Sequence, residues 1–107
     1  MEFLELMGLI KDFKFDVIRR NEENYFEAVI LRKDMEEFSK NLETFFGFPI
    51  WPSLNKLPPK VEIIVTKFGG IMSGQILYYK QADDPAYAMF WPWQDGQRVT
   101  VKIFRNG

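Results

Sequence analysis

The chain contains no cysteine and no histidine. The first absence excludes disulfides, thiolate metal sites, thiol redox chemistry and a cysteine nucleophile. Together the two remove the usual zinc ligands and the commonest general base, leaving only carboxylate oxygens for a hard cation such as magnesium. No apolar run approaches the length of a membrane span, and Met1-Glu2-Phe3-Leu4-Glu5 carries acids where a secretory signal carries positive charge. A cytoplasmic protein without membrane association is expected. A phosphate-binding glycine pattern is also lacking, since Gly69-Gly70 and Gly74 read as part of a hairpin rather than a strand-to-helix loop. Neither an internal repeat nor a low-complexity tract is present, and no cofactor is implied.

What the chain does have is apolar and aromatic side-chain surface. Of its 107 residues 47% are apolar and 27% charged, which suits one domain with one core. Eleven Phe, four Tyr and three Trp bring the aromatic share to 17%, enough to fill a small core with rings. The net charge of -1 argues against a protein that neutralises phosphates along a duplex. That charge is unevenly spread: residues 1–47 hold seven Lys/Arg against eleven Asp/Glu, net -4, and residues 48–107 hold seven against four, net +3. Two differently solvated faces account for this asymmetry.

Phe3, Leu6, Met7 and Ile10 recur at helical spacing, which predicts a short amphipathic helix over residues 2–11. From Phe13 the period becomes two: Phe13, Phe15 and Val17 alternate with Lys14 and Asp16, as in a half-buried strand. After a polar break from Arg19 to Asn24, Tyr25 to Leu31 is expected to return as the second arm of a hairpin. Asp34 then offers a helix cap, and Glu37 three residues on completes the spacing of a capping box. Met35, Phe38, Leu42, Phe45 and Phe46 form one apolar stripe, Gly47 suits a left-handed C-cap, and Pro49 stops continuation. A helix of about residues 34–46 packed on a sheet follows.

Residues 47–60 hold four prolines among Phe48, Ile50, Trp51, Leu54 and Leu57, without a regular period. A packed crossover is favoured over a functional lid, because these side chains are poorly suited to water. The remainder reads as a four-stranded antiparallel meander: Val61 to Phe68, Ile71 to Lys80, Ala86 to Trp93 and Val99 to Phe104. Gly69-Gly70 and Asp95-Gly96 supply the dipeptides of tight hairpin turns. The fold class is α+β, in a single domain spanning residues 1–107.

With Gly69-Gly70 as a two-residue turn, Val61, Ile63, Val65, Met72, Ile76 and Tyr78 share the core face. With Asp95-Gly96 as another, Ala88, Phe90, Pro92, Val99, Val101 and Ile103 fall on one side, and Tyr87, Met89, Trp91, Trp93, Arg98, Thr100, Lys102 and Phe104 on the other. Trp93 then faces Arg98 and Tyr87 faces Phe104, but Pro92 lands at a hydrogen-bonded position where it has no proton to donate. The sheet is apolar on both faces: the helix at 34–46 covers one, and the other needs a cover from elsewhere in the chain, a second subunit or a ligand.

Chemistry is thinly signalled. Asp83-Asp84 with Asp95 would hold magnesium only if two loops converged, and a polar turn explains the pair more simply. No spacing selects a pair of glycosidase carboxylates. Tyr78, Tyr79 and Lys80 are neighbours on a strand and point to alternate faces. The best-supported candidate is a surface of Tyr87, Trp91, Trp93, Arg98, Lys102 and Phe104, combining rings with positive charge. Such faces bind small ligands, sugars or single-stranded nucleic acid, and they also dominate protein interfaces. The acidic net charge favours a protein partner or self-association as a homodimer, in a non-catalytic interaction or regulatory module.

Overall fold

A computed structural model describes residues 2–51, 59–67, 75–82 and 84–105. These residues form an α+β fold, three α-helices and one five-stranded antiparallel sheet. The first helix, α1, runs Phe3–Ile10 and buries Phe3, Leu6 and Ile10 on one face. At its start the Glu5 carboxylate accepts the Glu2 backbone N–H at 2.9 Å, satisfying a donor that the helix leaves open.

The strand expected from Phe13 begins four residues later, as β1, Val17–Asn21. Local backbone bonds from the Phe13 amide to the Ile10 carbonyl and from the Phe15 amide to the Phe13 carbonyl, both 2.9 Å, curl the chain here. Both rings nevertheless reach the same target: Phe13 lies 4.9 Å and Phe15 5.7 Å from the ring centre of Phe38. The period of two therefore records two rings docked on one side, not a pleated strand. The expected polar break is strand as far as Asn21, exposed along its whole length at the sheet edge. Strand β2, Tyr25–Leu31, returns as predicted.

A 3-10 turn at Arg32–Asp34 leads into α2, Met35–Phe46, matching the predicted span. Its capping box is absent: Asp34 makes no side-chain cap bond, and its buried carboxylate pairs instead with Lys14 at 3.3 Å. Gly47 ends the helix at φ 75, its amide reaching the Glu43 carbonyl at 3.1 Å. A positive φ of this kind favours glycine over any residue with a Cβ.

Over its described part, Val61 to Lys67, the expected strand from Val61 to Phe68 is not a strand. Pro59–Lys67 forms a helix, α3, so the expected face shared by Val61 and Ile63 does not exist; Val61 is buried and Ile63 lies exposed. Proline is well tolerated in a first helical turn, and Val61 and Ile64 stand one helical turn apart. Residues 52–58 of the proline-rich connection and the Gly69-Gly70 turn lie outside the described residues. Before them, Ile50 and Trp51 pack against the sheet and Phe48 remains exposed.

Three strands complete the sheet: β3, Ile76–Lys80; β4, Ala86–Pro92; and β5, Arg98–Arg105. The order is β1-β2-β5-β4-β3, so the N-terminal hairpin joins the C-terminal strands through β2 and β5 rather than standing apart from a four-stranded meander. The register of β4 on β5 is the predicted one, Tyr87 opposite Phe104 through Pro92 opposite Val99. The turn differs. The Trp93 amide bonds to the Arg98 carbonyl at 2.9 Å, and the Gly96 amide to the Trp93 carbonyl at 3.2 Å. The connection is thus a four-residue loop around a turn from Trp93 to Gly96, with Gly96 at φ 70. Because Trp93 and Arg98 form the hydrogen-bonded pair, Pro92 and Val99 occupy the intervening pair where no donor is needed. Pro92 thus fits the strand.

The first face of the sheet and the helices α1 and α2 enclose the larger core, with Ala28, Ile30, Phe90, Val101 and Ile103 from the strands. Phe38 is its hub, adding Phe90 at 6.2 Å to Phe13 and Phe15. Tyr78 joins from β3, 5.8 Å from Phe46 and 5.9 Å from Phe90, and its hydroxyl donates to Glu43 at 2.8 Å. Burial, then that hydrogen bond, raises its pKa above the ordinary phenol value. The Lys80 ammonium donates to the Phe45 carbonyl at 3.0 Å, occupying one of the acceptors a helix end leaves open.

Candidate functional site

The second face is built in rows across the strands, because residues paired in register project to the same side. One row is wholly aromatic. Tyr25 stacks on Phe104 at 6.2 Å, Phe104 on Tyr87 at 5.1 Å, and Tyr87 meets Tyr79 at 5.3 Å. At its β1 end the Arg20 guanidinium lies 4.4 Å from the Tyr25 ring centre. The Tyr25 hydroxyl donates to Glu27 at 2.7 Å; burial and that bond raise its pKa above the ordinary phenol value.

This row belongs to a second core. Val61, Leu77, Tyr87, Met89 and Phe104 form one buried cluster, with Ile64 of α3 and Ile50 and Trp51 of the connection packed against it. Trp51 also bridges to Leu77, and the Ile50 amide bonds to the Leu77 carbonyl at 2.9 Å. The cover sought for this face therefore comes, over this half, from the chain itself. Tyr87 and Phe104, two of the predicted site residues, are 1% and 2% exposed.

The other four predicted residues lie beyond that cover. Trp91 is half-buried at its margin, and Trp93 is 36% exposed. Trp93 donates its indole N–H to the Thr100 hydroxyl at 2.8 Å, which fixes the ring against β5. Two guanidinium groups, from Arg19 and Arg98, each stand 5.7 Å from its ring centre. The Lys102 ammonium stands 4.5 Å from the centre of Trp91. Arg19, Glu27, Trp91, Trp93, Thr100 and Lys102 line a cleft of about 280 Å³. Each cation rests on a ring while its charged end remains partly hydrated, the geometry of a cation–π contact.

Local chemistry holds Arg98 in place. The Asp95 carboxylate accepts the backbone N–H groups of Gln97 at 2.8 Å and Arg98 at 3.1 Å, organising the loop after β4. Its second oxygen takes the Arg98 guanidinium at 2.8 Å, and Asp16, just before β1, takes the same group at 3.3 Å. The Gln97 N–H, and after it the Arg98 groups, hold the Asp95 carboxyl below its ordinary range. Arg19 is engaged more loosely, 3.6 Å from Glu27. Among the described residues Lys102 has no ion-pair partner.

Arg19 and Glu27 were absent from the surface read in the sequence. Arg19 opens the polar stretch that ends at Asn24, and the β-branched pair Val17-Ile18 immediately before it is the signal that the strand continues. Opposite Glu27 the pairing shifts between Ile18 and Arg20, so Arg19 is the inserted residue of a β-bulge. The bulge sets Arg19 beside Trp93 and Arg20 beside Tyr25.

The acidic residues do not gather. Asp84 precedes β4 and pairs with Arg105 at 3.6 Å, whereas Asp95 follows β4 and pairs with Arg98. About 20 Å of strand separates them. Asp83 lies outside the described residues, and among those described no three acids stand close enough to hold a metal ion. No described helix is long and apolar enough to cross a membrane.

Two other hollows carry less chemistry. One of about 520 Å³, at Leu31, Arg32, Lys33, Gly96 and Gln97, has no aromatic or acidic lining among the described residues. One of about 320 Å³, between α1 and the end of β5, has both of its cations committed: Lys80 to Phe45, and Arg105 to Asp84 and to Asn24 at 2.7 Å. No protein-family model, curated protein or solved structure matches the chain.

Proposed function

We propose that the chain is a non-catalytic protein-interaction module acting in the cytoplasm through the open half of its second sheet face, with Trp91, Trp93, Arg19, Arg98 and Lys102 as the contacting residues. The observation that supports this most is the way the two tryptophans are dressed. Three cations of the protein itself stand over them, and the indole N–H of Trp93 is already used. A nucleobase or sugar that stacked on these rings would first have to displace a cation. A protein surface bearing carboxylates and apolar side chains instead meets guanidinium donors and ring edges as they stand, and tryptophan with arginine is the pairing that dominates binding energy at protein interfaces.

Tyr87 and Phe104, on the same face but under its cover, fix β4 and β5 beside this surface. The cytoplasmic setting rests on the freedom of the sequence from cysteine, which leaves it no disulfide to depend on.

Photocrosslinking in cells tests the proposal. A benzoylphenylalanine placed at Trp93 is expected to give discrete protein adducts, and one placed at the exposed Glu36 of α2 is not. Equal labelling from both positions, or none from Trp93, would remove it. Titration of the purified chain with oligothymidylate and with oligosaccharides, followed by tryptophan fluorescence, is expected to show no saturable change below millimolar concentration.

A further inference from the structure

Both edges of the sheet are strands, and they are finished differently. On β3 the outer edge is partly taken by Ile50 and Trp51, through the bridge from Trp51 to Leu77 and the bond from the Ile50 amide. On β1, among the described residues, nothing pairs with the outer side. All five of its residues are exposed, including Val17 at 46% and Ile18 at 50%. An edge strand of this kind presents a row of backbone donors and acceptors together with apolar side chains.

We propose that β1 is a strand-addition site for an extended segment of a partner protein that alternates acidic and apolar residues. This rests on the reading of the tryptophan face as an interaction surface and names how a partner reaches it. The bulge ties the two together: Arg19 belongs to the open edge and stands 5.7 Å from Trp93, so a strand laid along β1 runs beside the cleft.

Charge selects the occupant. A second copy of the chain is disfavoured, because an antiparallel pairing of β1 with itself centred on Arg19 sets Arg19 against Arg19 and Ile18 against Arg20. Like charges directly opposite destabilise a pair of strands, and opposite charges stabilise it. Both guanidinium groups have capacity for a carboxylate. Their side chains are 47% and 52% exposed, and each is engaged by one glutamate, Arg19 by Glu27 and Arg20 by Glu22. A guanidinium has five N–H donors, so neither is saturated by these contacts. With the glutamates of the added strand on the second face beside Arg19 and Arg20, its apolar residues fall on the first face beside Ile18, as in other complexes in which a peptide extends a sheet.

The test uses the full chain and a blocked hexapeptide alternating glutamate and valine, followed by titration calorimetry and amide hydrogen exchange. Saturable binding is expected, with exchange slowed at residues 17–21. Two versions of the peptide, N-methylated at alternate positions in the two possible phases, supply the diagnostic. In an added strand successive N–H groups point alternately toward and away from the sheet, so one version loses at least tenfold in affinity and the other binds nearly as well as the parent.

A lysine–valine peptide should bind at least tenfold more weakly than the glutamate peptide. In the doubly reversed variant Arg19→Glu with Arg20→Glu, checked for folding by circular dichroism, that order should invert. Equal binding of both methylated versions, or no saturable binding of the parent peptide, overturns strand addition. Neither outcome touches the tryptophan surface, whose own failure is read from crosslinking at Trp93.

Discussion

The two faces of the sheet differ in how far the chain covers them. On the first, α1, α2 and the rings of Phe13 and Phe15 close over the strands, and Phe26, Ile30, Phe90, Val101 and Ile103 are buried there. On the second, α3 with Ile50 and Trp51 covers the half that holds Tyr87, Met89 and Phe104 and leaves Trp93 in contact with solvent. The solutions for the rings differ accordingly. Where apolar cover exists, rings pack mainly on rings, with Lys80 and Arg105 over Phe45 and Phe3; where it ends, Arg19, Arg98 and Lys102 stand over the tryptophans and bring charge into an aromatic surface. Such a surface stays hydrated in the free protein and retains strong donors for a partner.

The sharpest way to break this comparison is to open the sealed face. Phe38 has no exposed surface and touches the rings of Phe13, Phe15 and Phe90. Truncation to alanine leaves a ring-sized cavity at the hub of the core and is expected to cost about 3–5 kcal/mol in urea denaturation. A cost near 1 kcal/mol would mean that this side of the sheet is no more tightly held than the other.

A paired measurement sharpens the contrast within the second face. Val61, buried on α3, is expected to lose about 1–3 kcal/mol on replacement by alanine, the range for uncovering an aliphatic side chain and leaving a small void. Trp93→Ala removes a larger side chain but a more exposed one, with one hydrogen bond to Thr100, and should cost only about 1 kcal/mol. The order Val61 above Trp93, despite their sizes, is the signature of a face covered over one half and open over the other. The reverse order would place Trp93 in a structural role.

Most of the covered architecture was legible because it follows from periodicity. The stripe from Phe38 to Phe46 with Gly47 after it gave α2 almost to the residue, and the alternation through β4 and β5 gave the partners of Tyr87 and Trp93. What escaped lay where one pattern imitates another. Phe13 and Phe15 alternate like a strand because both rings dock on Phe38 from a curled segment. Val61 to Lys67 is rich in β-branched residues, which favour strands only weakly, and its proline start and one-turn apolar spacing carried the helix. The site was half legible for the same reason. Pairing rules placed Trp91, Trp93, Arg98 and Lys102 together, but assigning α3 to a strand removed the very element that buries Tyr87 and Phe104. Arg19 was hidden by its bulge, which breaks the alternation that locates every other member.

The smallest expected effect lies at the loop that holds Arg98 to the open half. The Asp95 carboxyl is held below its ordinary value of 3.8, first by the Gln97 N–H and then by the groups of Arg98. A carboxyl depressed in the folded state adds stability that is present above its unfolded value and is lost as pH falls through the folded one. Acidification below pH 3.8 should therefore loosen this loop. The Gln97 and Arg98 amides and the Trp93 indole N–H should shift together in an NMR titration, with a midpoint below 3.8, while signals from Phe38 and Phe90 on the sealed face hold still until the protein unfolds. Asp95 lies on the surface, so solvent screens the charge and the global stability should barely register the change. In Asp95→Asn the amide oxygen still accepts the two backbone bonds but no longer titrates, and the joint transition should disappear without loss of the turn. A transition that survives this substitution would assign the acid response to another group and release the loop from its role in fixing Arg98 beside Trp93.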